Sequence, residues 1–170
     1  IGIYTCGIKI AACCNHKARL WRDGRKGLLR YIEERMAGVA GCKVWIHAAS
    51  LGEFEQARPI IERIKSEMPE MVVVVTFFSP SGYEIRKNYN GADYIFYLPA
   101  DTAKNARKFL DIVHPEVAIF VKYEFWLNLL AELRRRDIKT YIISAIFHHN
   151  SVFFRFYGSL WRKALRTFRT

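Results

Sequence analysis

The sequence predicts an α/β domain built on a parallel, doubly wound sheet, and three observations carry that expectation. Short apolar runs rich in β-branched and aromatic residues recur along the chain. Longer amphipathic stretches separate them at the spacing of βαβ crossovers. With 170 residues, about half hydrophobic and a quarter charged, the chain is long enough for one good core and is composed like a folded domain.

The elements follow in order. After a basic segment at 15–30, a short helical pattern runs from Gly27 to Met36, and Gly38 to Gly41 end it. The first strand is expected over 43–49, where Val44-Trp45-Ile46-His47-Ala48-Ala49 is apolar enough to be covered on both sides. A helix over 53–67 comes next, and Pro59 within it is expected to delay its start or bend it. Further strands are expected over 71–77, 94–98, 116–121 and 139–145, with helices over 80–89, 102–113 and 125–136 between them. There are no internal repeats and no low-complexity linker. This is a Rossmann-like arrangement with helices on both faces.

The net charge of +11 sits at the two ends. Residues 1–30 hold seven basic side chains and one acid, residues 151–170 hold five basic and none acidic, and the stretch between them sums to zero. Both ends also carry large apolar residues. Aromatics beside Arg and Lys suit an anionic membrane surface or an amphiphilic phosphate-bearing ligand. The rival partner is nucleic acid, but these apolar residues are too bulky and numerous for a face that only tracks phosphates. A third reading makes the tail an amphipathic helix packed on the core. The apolar stretch before Lys17 is too short to span a bilayer and is interrupted by Lys9. The absence of an initial Met and the close within a basic stretch suggest a piece of a longer protein. Cys6, Cys13, Cys14 and Cys42 lack C-x-x-C spacing, so neither zinc nor a disulfide framework is indicated, and reduced thiols in a cytoplasmic setting fit best.

In a parallel sheet all strand carboxyl ends open on one edge, where such folds bind ligands. The first strand delivers Ser50, Gly52 and Glu53 there. Glu53, in the first helical turn, is expected to be held ionised by the helix N-terminus. Ser50-x-x-Glu53 also fits a capping box, which needs no function. The second strand delivers Ser79-Pro80-Ser81-Gly82, a hydroxyl-rich turn suited to phosphate or sugar oxygens, or simply a Ser-Pro helix start. Asp101 reads as the N-cap of the helix that follows it. The fourth strand brings Lys122, Glu124 and Asn128 to the same edge with Trp126 below them, and the fifth ends at Ser144-Ala145. No G-x-G-x-x-G follows a strand and no Walker A sequence exists, so neither a dinucleotide cofactor nor an NTPase is supported. His47 reads as a satisfied core histidine and His148-His149 as loop. Two carboxylates at one mouth favour a carboxylate base acting on a hydroxyl.

These residues resemble a known family. Trp45 to Glu53 is similar to the W-x-H-x-x-S-x-G-E opening of the Kdo (3-deoxy-D-manno-octulosonic acid) transferases of lipopolysaccharide synthesis. Thr76 through Gly82 resembles the family's T-P-T-G turn, Tyr97-Leu98-Pro99-Ala100-Asp101 its Y-L-P-x-D, and Glu124-Phe125-Trp126-Leu127-Asn128 its E-x-W-P-N. Ser144-Ala145 stands where N-A-R is usual, and Gly24-Arg25-Lys26-Gly27 fits the segment after a membrane anchor. The matches keep their order from about Arg19 to the end. Lys122 departs from a common Glu, Leu127 from Pro, Phe77 and Phe78 from hydroxyl residues, and Ile146 from Arg.

The resemblance implies the N-terminal, acceptor-binding half of a GT-B glycosyltransferase that moves Kdo from CMP-Kdo to a lipid A precursor. The setting is the cytoplasmic face of the bacterial inner membrane, with no cofactor and no protein-bound catalytic metal. Residues 1–26 would be an anchor remnant and basic segment, and 27–170 the domain itself. Glu53 would be the catalytic base. Ser50, Gly52, Ser79, Ser81, Gly82, Lys122, Glu124, Asn128, Ser144 and Arg155 would meet substrate. Arg155, Arg162 and Arg166 would face anionic groups, with Phe153, Phe156 and Trp161 at the acyl boundary. Alone, a one-domain piece is expected to be inactive. The alternative is a non-catalytic membrane- or nucleic-acid-binding module.

Overall fold

The computed structural model describes residues 7, 11–146, 155 and 158–169. Five strands, β1 (Lys43–Ala48), β2 (Val72–Phe77), β3 (Tyr94–Tyr97), β4 (Val117–Val121) and β5 (Lys139–Ile143), form one sheet in the order β3-β2-β1-β4-β5. Every pairing in it is parallel. The α/β class and all five strands are therefore as expected, each within two residues at its ends. The chain lays β1 at the centre, works outward to β3, then returns to the other side of β1 with β4. The direction of winding reverses between β1 and β4, which opens a crevice beyond their carboxyl ends.

Side-chain alternation along β1 divides the core. Trp45 faces one layer, with Val74, Phe96, Ala118 and Phe120 from neighbouring strands. That layer is covered by α2 (Leu28–Met36), α5 (Ala103–Val113), α6 (Leu127–Arg135) and Ala164 of α7 (Ser159–Leu165). Val44, Ile46 and Ala48 face the other layer, against Phe54, Ala57 and Ile61 of α3 (Leu51–Glu67). Trp45 is fully buried edge-on to Phe109 at 4.9 Å and Phe120 at 5.2 Å. Burying one such side chain contributes about 1.5–3 kcal/mol, so each layer is independently anchored.

α3 starts at Leu51 and runs 17 residues with Pro59 inside it, so the proline does not delay it. Pro59 lies on the exposed side, where a carbonyl deprived of its partner is cheapest to leave. α4 (Pro80–Arg86) is shorter than its pattern suggested. Asp101 does not cap α5; Thr102 does, accepting from Asn105 N–H at 3.2 Å. Asp101 instead reaches across to cap α6, taking the N–H groups of Asn128 at 3.1 Å and Leu129 at 2.9 Å.

The basic segment contains a helix that charge alone did not reveal, α1 (His16–Asp23), capped by Asn15 and buried only at Trp21. One buried residue leaves no apolar period to read. Arg25, just beyond it, is held by the carbonyls of Trp21, Phe78 and Leu98. Its guanidinium lies over the rings of Trp21, Phe78 and Tyr97 at 4.0–5.0 Å. Gly24 packs so tightly on Tyr97 that a Cβ there would stand 2.3 Å from the ring. The segment from Trp21 to Arg25 is thus tied onto the carboxyl edge of the sheet.

The tail also packs on the core. Trp161, half-buried, meets Phe125 edge-on at 5.8 Å. Phe168 contacts Phe120 and Phe125 and forms a parallel bridge with Thr140 on the outer edge of β5. Phe153, Phe156, His148, His149, Cys6 and Lys9, all named above, lie outside the described residues. Among the described residues no helix is long and apolar enough to cross a membrane.

Candidate functional site

At the carboxyl ends of β1 and β4 the structure brings Glu53, Glu124 and His47 together. Ser50 is the N-cap of α3 in extended conformation, yet its hydroxyl makes no capping bond. Glu53 bends back instead and accepts the Ala49 N–H at 2.6 Å. The capping box is therefore only half formed: the carboxylate serves the backbone, and the hydroxyl does not. Gly52 is exposed between them, and a Cβ there would meet nothing within 4 Å.

Glu53 does not behave as a carboxylate simply held ionised. Its pKa lies above the usual carboxylate value, because burial penalises the charge and the Glu124 carboxylate adds like-charge repulsion. The hydrogen bonds from the Ala49 and Ser50 N–H groups oppose this without prevailing. This corrects the expectation drawn from the helix N-terminus alone: the end of α3 stabilises the charge, but burial and a second carboxylate outweigh it.

Glu124 comes from the connection after β4 and lies with Oε2 at 3.7 Å from His47 Nε2. His47 is fully buried in β1 and fully bonded, as a core histidine should be, but one of its bonds leads to the mouth. Nδ1 lies 2.9 Å from Thr76 Oγ1 and 3.1 Å from Thr76 O, and Nε2 accepts the Trp126 indole N–H at 2.9 Å. Trp126 packs on Phe78 at 4.7 Å, and Phe78 on Trp21 at 5.7 Å. Sequence reasoning missed this aromatic wall, although Trp126 was placed below the edge. The available signal was the alternation that puts His47 on the face of Trp45, one residue from the strand end.

Other expected residues take more specific places. Ser79 donates its N–H to Ala49 O at 2.7 Å, which ties the second turn to the first. The Ser79 and Ser81 hydroxyls bond each other at 2.9 Å. Gly82 is buried, with Phe77 where a side chain would go. Asn128 gives its amide to Asp101 O at 2.9 Å, which binds it to the neighbouring loop. Lys122 and Ser144, at the ends of β4 and β5, both adopt left-handed backbone, φ 61° and φ 56°. Such conformations cost non-glycine residues about 1–3 kcal/mol each and cluster at functional sites. Tyr123 closes the same rim by exchanging hydrogen bonds with the Ile146 backbone through its hydroxyl. Arg155 is exposed, and its carbonyl accepts from the Gly158 N–H and from the Arg162 guanidinium, each at 2.9 Å. Among the described residues no group of three His, Cys, Asp or Glu could hold a metal ion.

Fold and site together define a doubly wound α/β domain with a carboxylate of raised proton affinity at its switch point. The chain belongs to the 3-deoxy-D-manno-octulosonic-acid transferase (Kdo transferase) family, whose N-terminal model matches residues 22–170. It is 31% identical over 113 residues to the 3-deoxy-D-manno-octulosonic acid transferase of Haemophilus influenzae, covering 64% of this chain and 26% of that protein. The Chlamydia trachomatis serovar D enzyme of the same name is 32% identical over 126 residues, 72% of this chain and 29% of the relative. The Aquifex aeolicus enzyme is 34% identical over 95 residues, 54% and 26%. The match thus spans little more than a quarter of these relatives.

Proposed function

We propose that this chain is the acceptor-side domain of an inverting GT-B glycosyltransferase that moves Kdo from CMP-Kdo to a lipid A precursor. The work is done at the cytoplasmic face of the bacterial inner membrane, with the basic segments near the membrane surface. Glu53 is the general base. It takes the proton of the acceptor hydroxyl as that oxygen attacks the Kdo anomeric carbon and CMP departs with the bonding pair. Ser50, the Gly52 backbone, Lys122, Glu124 and Ser144 line the acceptor side of the mouth, while Ser79, Ser81, Gly82 and Asn128 act mainly by holding its turns in place.

The single observation that carries this reading is Glu53 itself: half-buried, oriented by the Ala49 N–H, and raised in proton affinity beside Glu124. A base works best with a pKa close to the operating pH, and an ordinary surface carboxylate is too weak. Family membership supports the substrate class. In the full-length transferase, Glu53→Gln keeps an oxygen for the Ala49 N–H but loses the base, so turnover should fall about 10²- to 10⁴-fold. Turnover within a few-fold of the parent enzyme rules this assignment out.

A further inference from the structure

Behind the mouth, the nitrogen of His47 nearest the carboxylates has two competing uses. Trp126 Nε1 lies 2.9 Å from His47 Nε2. An indole nitrogen can only donate, so Nε2 must accept and carries no proton. The ring's single remaining proton is then on Nδ1, where Thr76 Oγ1 at 2.9 Å and Thr76 O at 3.1 Å receive it. Thr76 Oγ1 is in turn fixed by the Trp45 indole N–H at 2.8 Å. Yet Nε2 also lies 3.7 Å from Glu124 Oε2, and a proton there would make an ion pair. The two arrangements exclude each other.

The surroundings show what is at stake. From the same strand His47 faces Trp45, from β4 it faces Phe120, and from β2 it faces Thr76, none of them charged. The charged groups that bear on it are Glu124 after β4 and Glu53 at the start of α3. We infer that Trp126, by donating its indole N–H to Nε2, keeps His47 neutral and so makes the His47–Trp126 pair a positioning unit for the two carboxylates at the mouth.

Neither residue touches the reacting atoms in this scheme. With His47 neutral, the charge of Glu124 is not cancelled and keeps pressing on Glu53, whose proton affinity it helps raise. A protonated His47 acts the other way on Glu53, drawing its pKa down. The indole ring also stays pinned on Phe78, so the wall and the electrostatics are set by one hydrogen bond.

The kinetic consequence rests on Glu53 being the base, but the protonation state does not, so the two can fail separately. The direct test is imidazole ¹⁵N NMR on the 170-residue chain, titrated from about pH 5.5 to about pH 8 across the ordinary histidine range near 6.5. His47 in the parent protein should keep an unprotonated Nε2 and a protonated Nδ1 throughout. In Trp126→Phe, which keeps a ring but removes the donor, a proton should appear on Nε2. A proton found on Nε2 in the parent protein overturns the inference whether or not the variant folds. A folded Trp126→Phe whose Nε2 stays unprotonated overturns it too. In the full-length enzyme, Trp126→Phe should also move the acid limb of kcat/KM to lower pH. An unmoved limb with Nε2 protonated in the variant would remove Glu53 from the scheme while leaving the tautomer assignment intact.

Discussion

Gly82 and Gly52 border the same helix start from opposite sides, and replacing each with Ala should give opposite results. At Gly82 a Cβ would stand 2.3 Å from Phe77 Cδ1, 2.7 Å from Cε1 and 3.2 Å from Leu51 N, the first helical residue of α3. The Phe77 ring is fully buried and packs on Phe54 at 5.4 Å, so it has no free direction in which to swing. The backbone of α3 is the other obstacle, and moving it shifts Glu53. Overpacking of this kind costs about 1–3 kcal/mol. In a domain of this size each kcal/mol lowers Tm by about 2–4 °C. At Gly52 the new methyl meets open space within a helix, where Ala is favoured over Gly by up to about 0.5–1 kcal/mol. The assay is thermal and urea unfolding of the 170-residue chain followed by circular dichroism, with unchanged m-values required for comparison. Gly82→Ala should lower Tm, Gly52→Ala should leave it equal or higher, and Phe77→Leu should recover part of the Gly82→Ala loss. Equal losses at both glycines would refute the argument that contact with Phe77, rather than glycine at a helix start, is what matters.

Two further outcomes follow from the helix ends. His114 closes α5 in left-handed backbone, φ 47°, with an exposed side chain, so His114→Gly should stabilise the chain by about 0.5–1 kcal/mol in urea unfolding. Glu132 is buried under Arg135 and Arg136, and their hydrogen bonds hold its pKa down to about 2. Because the folded value lies below the unfolded one, this contribution is complete above about pH 4.5 and is lost as pH falls toward about 2. Glu132→Gln should therefore lower stability at neutral pH by about 1–3 kcal/mol and flatten that acid loss in pH-dependent unfolding.

The strands were legible because a sheet buried on both faces demands continuous apolar runs, and Val72 to Phe77 or Val117 to Val121 admit no other partner than a covered sheet. The strand ends, and with them Glu53, Lys122 and Glu124, followed from the same logic. What failed did so where one residue decides an element. α1 rests on Trp21 alone, and Asp101 caps a helix 27 residues away rather than its neighbour. His47 was legible as buried, since an imidazole within an apolar strand must find partners. That one partner would be an indole from β4's connection required the strand order, which places β4 beside β1 despite some 70 residues of intervening chain. Long-range polar pairs leave no period in a sequence. The basic tail was ambiguous for the opposite reason: a cationic amphipathic stretch looks alike whether its apolar side meets lipid or protein, and here Phe168 and Trp161 meet protein.

The same strand order explains why Glu53 differs from the many glutamates that merely cap helices. An exposed N3 carboxylate gains about 0.3–1 kcal/mol from the helix end and titrates low. Glu53 has that gain and the Ala49 N–H, and still holds its proton more tightly than usual. One pKa unit is about 1.4 kcal/mol, so the opposing burial and repulsion together exceed what the helix end supplies. Both opposing effects come from the switch point. Winding outward to β3 and back to β4 covers the β1 end with a second loop, and that loop carries Glu124. A carboxylate at the end of β2 or β3 would share its mouth with no returning strand. The topology thus brings a helix start, a buried floor and a second carboxylate together at the end of β1, and that is where Glu53 stands.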